Sequence, residues 1–504
     1  MSDLKTVLRD VGGILIIVGV ITLFALVTPL YFKEWYGINP LFITAAVFFG
    51  IGIPLYLIFK NADIPNFKSA MVTAALGWLL ISIIGTIPFI MIGFDKTNPI
   101  FTMDFLSALF ESMSGWTGTG LTMIDKENLL PYTLQFWRSL IQWIGGVGVI
   151  VLTLSILARP GTGSYILYRS EGREQKTHPS IVSTVRTIWW IFLLYTVIGV
   201  FVLWIIGILD PPTGISNEII PWASLNHAMT GIATGGFSVT DDSIMGFGTI
   251  NQLAIIILMV IGGVAFAAHY ELFKGRIKKF LSDAQFRAMI LLIILGVVTL
   301  TLINLNDPHF TGNFLLSLKE SGFQFVSAIT CTGFSSATIA SWTESAKLIL
   351  SFAMVIGGAA GSTAGGIKLF RSILLSKGVG WRIKRSISTP RRVFVHKLGD
   401  KPLSKEDAMD LINEAAIISF MWIILISVGV VVIAFIFPKE TLGNVIFEVC
   451  SAQGNVGLST GITSMGMSPY AKTMLIFNMW VGRLEIIPII VLVKSMFGIR
   501  RNVL

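Results

Sequence analysis

The run SGWTGTGLT at residues 114–122 recurs three more times in this chain, as TGIATGGFS at 230–238, SAITCTGFS at 327–335 and SAQGNVGLS at 451–459. The four runs align without gaps. A hydroxyl residue stands six positions before a shared glycine, and an apolar residue and a second hydroxyl follow that glycine. The shared glycines are Gly120, Gly236, Gly333 and Gly457. Such self-similarity indicates a repeat architecture.

The common register extends in both directions from these glycines. Nine residues before each one stands a polar side chain, which is Glu111, His227, Gln324 or Glu448. Roughly 25 residues after it comes a pair of small residues: Gly145-Gly146, Gly262-Gly263 and Gly357-Gly358, with Gly482-Arg483 in the fourth repeat. The polar residues either hydrogen-bond the glycine loop or face solvent. A register kept over this length in four places predicts four copies of one structural unit.

The composition places these repeats in a membrane. Hydrophobic residues make up 54% of the 504 residues and charged residues 13%, against roughly 25% charged in soluble proteins. Two cysteines in apolar surroundings exclude a disulfide framework. Stretches long enough to cross the ~30 Å hydrocarbon layer recur along the chain. The ten predicted spans are 11–31, 38–59, 69–92, 134–158, 187–209, 252–273, 288–305, 348–375, 415–437 and 473–497.

The charge distribution predicts the orientation. With both termini cytoplasmic, the inner segments are strongly basic and the outer ones acidic, as the positive-inside rule expects. The net charge of +9 therefore reports topology, and we predict no nucleic-acid partner. The inner loop 376–409 is especially basic. It serves either as an orientation signal in contact with lipid headgroups or as the docking site of a cytosolic partner.

Each repeat crosses the membrane twice, so all four share one orientation and can close into a ring. Segments 103–116, 218–232, 314–329 and 441–453 precede the glycine runs and are too short to span. They read as re-entrant half-helices that end near the axis. We therefore predict an all-α polytopic membrane protein in which four parallel helix–pore loop–helix repeats surround a central pore. The predicted units are an N-terminal two-helix extension (1–68) and repeats at 69–158, 159–275, 276–378 and 379–504.

The chemistry of four converging loops favours a cation. Helix C-termini carry partial negative charge, and glycine lets backbone carbonyls turn toward the axis, where they can replace the hydration shell of an alkali ion. The alternative is that the glycines only permit close helix packing. The residues predicted to form a potassium filter are Thr117, Gly118, Thr119 and Gly120; Ala233, Thr234, Gly235 and Gly236; Thr330, Cys331, Thr332 and Gly333; and Gly454, Asn455, Val456 and Gly457. The outer carboxylates Asp125, Glu127, Asp241 and Asp242 form either a cation-concentrating mouth or a solvated loop.

Four motifs carry a resemblance to a known family: WRSLIQWIGG at 137–146, ATGGFS at 233–238, GGAAGSTAGGIK at 357–368 and GNVG at 454–457. Over residues 69 to 498 the chain resembles the Trk/Ktr/HKT superfamily of potassium transporters, most closely its prokaryotic Trk-H-type members. The leading pair of spans is similar to the extra N-terminal pair of that branch. The resemblance implies potassium uptake across a prokaryotic plasma membrane, a homodimer, and a cytosolic ring of nucleotide-binding Trk-A-like or Ktr-A-like subunits.

Two elements are predicted to gate the pathway. Span eight contains Gly357, Gly358, Gly361, Gly365 and Gly366, and since each glycine costs ~1 kcal/mol in a helix the span should break there. In the resembled family this break forms a loop that obstructs the pore below the filter; a packing face is the alternative. Lys368 at its inner end either faces the pore or reaches toward the cytoplasm.

Arg483 is the second gating element. Its register matches Gly146, Gly263 and Gly358, so it should project toward the axis and raise a barrier to cations. The resemblance implies the same braking role. The alternative is a structural ion pair, for example with Glu485.

The resemblance also bears on selectivity. A serine in the first filter accompanies sodium preference in HKT relatives, whereas Gly120 keeps all four positions glycine. Potassium preference is therefore expected, with looser discrimination against sodium because the residues two before each glycine differ. A sodium-permeable, or sodium- or proton-coupled, transporter of the same architecture remains the alternative. An enzyme is disfavoured because no catalytic or nucleotide motif is present. An assembly scaffold is disfavoured because it would not require four glycine loops that face one axis.

Overall fold

The computed structural model describes residues 2–93, 102–148, 181–307, 310, 312–389, 396–398 and 401–497. Helices dominate this part of the chain, and one antiparallel hairpin pairs β1 (His396–Leu398) with β2 (Lys401–Leu403). The helices up to residue 148 are α1 (Ser2–Ala25), α2 (Val27–Tyr31), α3 (Ile38–Ile58), α4 (Phe67–Ile84), α5 (Ile87–Met91), α6 (Phe105–Thr117) and α7 (Tyr132–Val147). Those from 181 to 307 are α8 (Ile181–Leu209), α9 (Ile220–Ile232), α10 (Thr249–Gly263), α11 (Phe266–Phe273), α12 (Ile277–Ser282) and α13 (Ala284–Asn304). The remaining helices are α14 (Phe314–Ile329), α15 (Glu344–Ile356), α16 (Leu369–Ser386), α17 (Lys405–Ile436), α18 (Leu442–Gly454), α19 (Pro469–Arg483) and α20 (Ile487–Met496).

Six of the ten predicted spans are single helical stretches, apolar and long enough to cross a membrane: 3–31, 35–58, 67–91, 182–209, 284–304 and 405–436. The fourth span continues beyond α7 into residues 149–158, which lie outside the described part. The eighth is interrupted between α15 and α16, as predicted. The sixth and tenth were expected to be continuous, and this is wrong. Their halves, α10 with α11 and α19 with α20, meet at 103° and 111°.

The predicted half-helices are α6, α9, α14 and α18, and their order of packing closes a ring. In each repeat the first helix packs on the half-helix of its own repeat: α4 on α6, α8 on α9, α13 on α14 and α17 on α18. The second helix packs on the half-helix of the following repeat: α7 on α9, α10 on α14, α15 on α18 and, closing the circle, α19 on α6. The all-α, fourfold architecture is thereby confirmed.

Local sequence signals explain where the half-helices begin and end. Three start at a side-chain cap: Asp104 accepts from the N–H of Leu106 and Ser107, and Asn313 and Thr441 cap α14 and α18 in the same way. Helix α9 instead begins with a proline in its first turn. At the other end all four stop just before the shared glycine, so their C-terminal carbonyls converge on one region.

The N-terminal hairpin of α1 and α3 packs on α4, and it also reaches repeat 1 through one carboxylate. Glu34, which is nearly buried, accepts hydrogen bonds from the backbone N–H groups of Tyr132 (2.9 Å) and Thr133 (2.8 Å). These are the first residues of α7, so the carboxylate satisfies donors that a helix N-terminus leaves open. The extension thereby anchors the second helix of repeat 1.

Candidate ion pathway

The four shared glycines lie in one closed ring. All have left-handed backbone, with φ of 90°, 78°, 88° and 101° in chain order. A Cβ atom added to Gly120 would lie 2.1 Å from the carbonyl oxygen of Gly235 in repeat 2. The same construction gives 2.1 Å from Gly236 to Thr332, 2.0 Å from Gly333 to Val456 and 2.4 Å from Gly457 to Thr119. Each glycine thus abuts the carbonyl that precedes the glycine of the next repeat, and neither its conformation nor its space admits a side chain.

The residues two positions before the glycines share one backbone conformation although their side chains differ. Gly118, Thr234, Cys331 and Asn455 have φ between 50° and 69°. The residue that follows each of them donates its N–H to the carbonyl six positions before the shared glycine, at 2.8–2.9 Å in all four repeats. This is the helix-ending arrangement of a Schellman motif. The backbone of the four loops is therefore more uniform than the side chains suggested.

The hydroxyl six positions before the glycine holds the loop against its half-helix. Ser327 Oγ accepts from the N–H of Gly333 at 3.1 Å and donates to the carbonyl of Phe334 at 2.7 Å. In repeat 4 Ser451 accepts from the N–H of Gly457 at 3.0 Å. In repeat 2 the equivalent Thr230 donates to the carbonyl of Phe237 at 2.8 Å. In repeats 2, 3 and 4 the recurring hydroxyl therefore stabilises the turn at the glycine, whereas Ser114 Oγ in repeat 1 is buried with no hydrogen-bond partner among the described residues.

The polar residues nine positions before the glycines are completely buried, so the solvent-facing alternative is wrong. Each contacts the hydroxyl two positions after the glycine of its own repeat. These contacts are Glu111 with Thr122 at 3.0 Å, His227 with Ser238 at 2.9 Å, Gln324 with Ser335 at 3.1 Å and Glu448 with Ser459 at 2.8 Å. One contact thus ties the outer end of every glycine loop to the middle of its half-helix.

Repeat 1 adds a buried ion pair to this scheme. Arg138 Nε of α7 donates to Glu111 at 2.8 Å, and both side chains are at most 1% exposed. The guanidinium also donates to the carbonyl of Ser238 at 3.0 Å and stacks 4.2 Å from the ring centre of Phe237. Arg138 therefore links the loops of repeats 1 and 2 through groups removed from water.

We expect Glu111→Gln to be strongly destabilising, because it removes the carboxylate that pairs with the buried Arg138 at 2.8 Å, whereas the next carboxylate, that of Glu127, lies 3.9 Å from the guanidinium. The expected loss in the free energy of unfolding is about 3–5 kcal/mol, measured by thermal unfolding of the purified protein in detergent. Glu448→Gln is the matched control: the Glu448 bonds found in the described residues come from hydroxyl and backbone N–H donors, so about 1–2 kcal/mol is expected. Equal losses for the two variants would contradict this account.

A cavity of about 310 Å³, lined by all four glycines, lies on the side of the ring that is predicted to face outward and is called the outer side below. Asp241 and Asp242, both exposed, and the buried Glu127 also line it, whereas Asp125 is exposed outside this lining. Burial raises the pKa of the Glu127 carboxyl to about 8 even though Arg138 lies 3.9 Å away. The exposed carboxylates of this mouth are those of Asp241 and Asp242.

The interrupted span of repeat 3 places a loop against the inner side of the ring. Its neck closes where Gly357 and Gly366, both with left-handed φ, approach within van der Waals distance. The loop contacts two neighbouring repeats: Thr363 donates to the carbonyl of Gly262 at 2.9 Å, and Gly366 donates its N–H to the carbonyl of Gly454 at 3.0 Å. The run is thus a loop and not a helical packing face.

The other residues predicted to belong to this loop differ in their surroundings. Gly358 and Gly365 lie inside it, close to Gly263 and to the Gly454 carbonyl, whereas a side chain on Gly361 would meet open space. Lys368 lies where α16 begins, has φ 79°, and its ammonium donates back to the carbonyl of Ala364. The lysine therefore closes the loop and is half-buried.

Arg483 ends α19 and reaches across to two other repeats. Its guanidinium donates to the carbonyls of Gly145 and Gly146 (2.9 Å) at the end of α7 and to that of Thr363 (3.3 Å) in the repeat 3 loop. Glu485, named above as an alternative partner of Arg483, forms an ion pair with Arg371 of α16. Arg483 thus lies among backbone carbonyls on the inner side of the ring.

Several residues at this site were not predicted. The Thr363 hydroxyl, whose single hydrogen is shared between the carbonyls of Gly262 and Ile232, also accepts from Thr234, which links the loop to the half-helix of repeat 2. Gln142 bonds the glycine loop of repeat 2 from α7. Asn455 was predicted as a filter residue, but not the contact of its side chain, which donates to Thr119 Oγ1 at 2.9 Å across the junction of repeats 4 and 1. The signal at Gln142 was a polar residue where the other three repeats have methionine.

Comparisons with known proteins agree with this geometry. Residues 41–498 match the TrkH family, described as a cation transport protein. An uncharacterized cation transporter of Methanocaldococcus jannaschii is 34% identical over 501 residues, which cover 98% of this chain and 96% of that protein. The Trk system potassium uptake protein TrkH of Escherichia coli is 32% identical, covering 85% of this chain and 86% of its own. The crystal structure of the potassium transporter TrkH from Vibrio parahaemolyticus superposes with a TM-score of 0.80 at 26% identity, over 98% of this chain and 99% of that one. With its fourfold ring of glycine loops, this membrane transporter belongs to the TrkH family of cation transport proteins.

Proposed function

We propose that this chain takes up potassium across the plasma membrane of a prokaryote through the ring of Gly120, Gly236, Gly333 and Gly457. The observation that carries the proposal is the closed contact of each glycine with the carbonyl before the next one. A ring of carbonyls is the ligand set that replaces the hydration shell of potassium. The relatives named for potassium uptake support the choice of ion. Potassium is the substrate, held by the backbone of the filter residues and not by side chains.

The outer cavity and the inner elements fit a gated pathway. Exposed carboxylates at the mouth raise the local cation concentration. On the inner side, the repeat 3 loop and Arg483 meet below the ring, and we assign them the role of the gate. The positive charge of Arg483 opposes a passing cation, and the loop occupies space that an ion would cross.

We further propose that the protein is a homodimer with both termini in the cytoplasm, and that a cytosolic nucleotide-binding ring regulates it. The basic charge of residues 376–409 supports this orientation and offers a contact for an acidic partner. Residues 390–395 and 399–400 of that loop lie outside the described part. Among the rest, β1 and β2 form a hairpin that contacts α16 through Lys377 and Trp381.

The test is rubidium uptake into proteoliposomes, competed separately by potassium and by sodium. We expect potassium to compete and sodium to compete far less. Equal competition by the two ions would keep the pathway but favour the sodium-permeable alternative. Uptake that depends on an imposed sodium or proton gradient would favour coupled transport. If neither the wild-type protein nor a variant opened at the gate takes up rubidium, the proposal is wrong.

We expect shortening of the repeat 3 loop to raise uptake. Replacing residues 359–364 by two glycines removes Thr363 and the contacts of the loop with Gly262 and Ile232. Since the loop is assigned as an obstruction, rubidium uptake should increase several-fold, and initial rates in proteoliposomes measure it. The single substitution Thr363→Val is the matched control for lost hydrogen bonds without lost bulk. Lower uptake by the shortened, correctly folded protein would reverse the role given to the loop.

A further inference from the structure

One side-chain amide contacts the glycine ring directly, and it comes from a position where the other three repeats have methionine. Gln142 stands three residues before the first glycine of the small pair in repeat 1, and the equivalent residues are Met259, Met354 and Met479. All four side chains are completely buried. A glutamine in place of three methionines is a departure from the repeat that packing alone does not require.

The amide of Gln142 holds the loop of repeat 2 on both sides of its shared glycine. Nε2 donates to the carbonyl oxygen of Gly235 at 2.6 Å, and Oε1 accepts from the N–H of Phe237 at 2.9 Å. The Gly235 carbonyl is the one that Gly120 abuts in the ring. One of the four ring carbonyls therefore has a hydrogen-bond donor attached to it by a rigid, two-point contact.

Gly235 leaves room for the side chain of Gln142 because it has no side chain of its own. A Cβ atom on Gly235 would lie 2.1 Å from Cδ of Gln142, although Gly235 is not among the residues with positive φ. Glycine is thus needed there for room and not for conformation. The corresponding positions are Thr119, Val456 and Thr332, so glycine occurs in this place only where glutamine faces it.

We propose that Gln142 is a specificity-determining residue. It fixes the position of the Gly235 carbonyl and thereby makes the glycine ring less favourable for sodium. The inference rests on the proposed function of the ring. Selection between potassium and sodium depends on the number and field strength of the carbonyls and on how far they can move toward a smaller ion. A donated hydrogen bond occupies part of the carbonyl's electron density and holds its direction. Without it the carbonyl can approach sodium more closely.

Gln142→Met tests this role, because methionine is the residue that three repeats already accommodate. The measurement is rubidium uptake in competition with sodium and, separately, with potassium. The result is expressed as the half-inhibitory concentration of sodium divided by that of potassium. We expect this ratio to fall about fivefold, the effect of one ordinary hydrogen bond, while uptake itself persists. Met259→Leu, a change at the equivalent buried position in repeat 2, should leave the ratio unchanged.

Each outcome of this experiment either supports or overturns the role proposed for Gln142. A wild-type ratio in folded Gln142→Met overturns the inference, while its uptake would leave the proposed function standing. Absence of rubidium uptake by the wild-type protein and by gate-opened variants would instead refute the proposed function. If Gln142→Met fails to fold, Gln142→Leu replaces it, since leucine is also apolar and has no hydrogen to donate to the Gly235 carbonyl. The same fall in the ratio is expected for Gln142→Leu, and a wild-type ratio would overturn the proposal.

Discussion

Arg483→Ala is expected to raise rubidium uptake by about tenfold or more. A unit charge about 5 Å from a passing cation opposes it by about 3 kcal/mol at an effective dielectric constant of ~20. Every 1.4 kcal/mol removed from a barrier is about tenfold in rate. Part of that energy is lost to screening by water, which is why the expected increase is about one order of magnitude and not two. Initial rates of uptake into proteoliposomes measure it.

Two further substitutions separate the charge of Arg483 from its hydrogen bonds. Arg483→Gln removes the charge but keeps a donor near the carbonyls of Gly146 and Thr363. Arg483→Lys keeps the charge with a single donating group. If the charge is the barrier, the glutamine variant should be as open as alanine and the lysine variant close to wild type. Unchanged or lower uptake by folded Arg483→Ala would contradict the gate.

Gly236→Ala is expected to reduce rubidium uptake by at least about tenfold. Its Cβ atom would be built 2.1 Å from the carbonyl oxygen of Thr332, closer than any real contact, so the carbonyl or the loop must move. The left-handed backbone at φ 78° adds about 1–2 kcal/mol of strain for any other residue. Both effects act on the ring itself, and uptake by purified protein of confirmed monodispersity reports them.

The matched control is Gly214→Asn. Gly214 has nearly the same φ of 79°, lies in an outer connection, and has open space where its side chain would be. Asparagine tolerates the left-handed region, so uptake and stability should stay near wild type. Normal uptake and ion preference in Gly236→Ala would mean that the ring is not on the pathway.

The sequence was sufficient for the ring because its determinants are local. Turning a backbone into the left-handed region at Gly120 and its three equivalents needs glycine, and glycine repeated at a fixed place in four copies is visible in one chain. The half-helices were predicted within two residues of their observed ends because each is a short, half-apolar segment that precedes a recurring glycine run. The hydroxyls at Ser327 and Ser451 were noticed for the same reason, although their partners were not.

The contacts that were not predicted are those between different repeats, because they depend on which repeats are neighbours in the ring. Gln142 acts on repeat 2 and Arg483 on repeats 1 and 3, and no spacing along the chain reveals those neighbours. The bends in the sixth and tenth spans also escaped. The tenth bends at Glu485 and Ile486, which have φ of 57° and 74°. A β-branched residue at such a φ is held by its surroundings and not by its own preference.

The inner side of the ring differs between repeats, and four identical subunits could not reproduce this difference. The single side chain of Arg483 donates to carbonyls of two other repeats: those of Gly145 and Gly146 in repeat 1 and that of Thr363 in repeat 3. In a homotetramer any such arginine would appear four times, and four guanidinium groups would repel one another at one depth. In this single polypeptide one repeat has arginine at the position where the other three have glycine. A pore built from four identical chains cannot have that asymmetry.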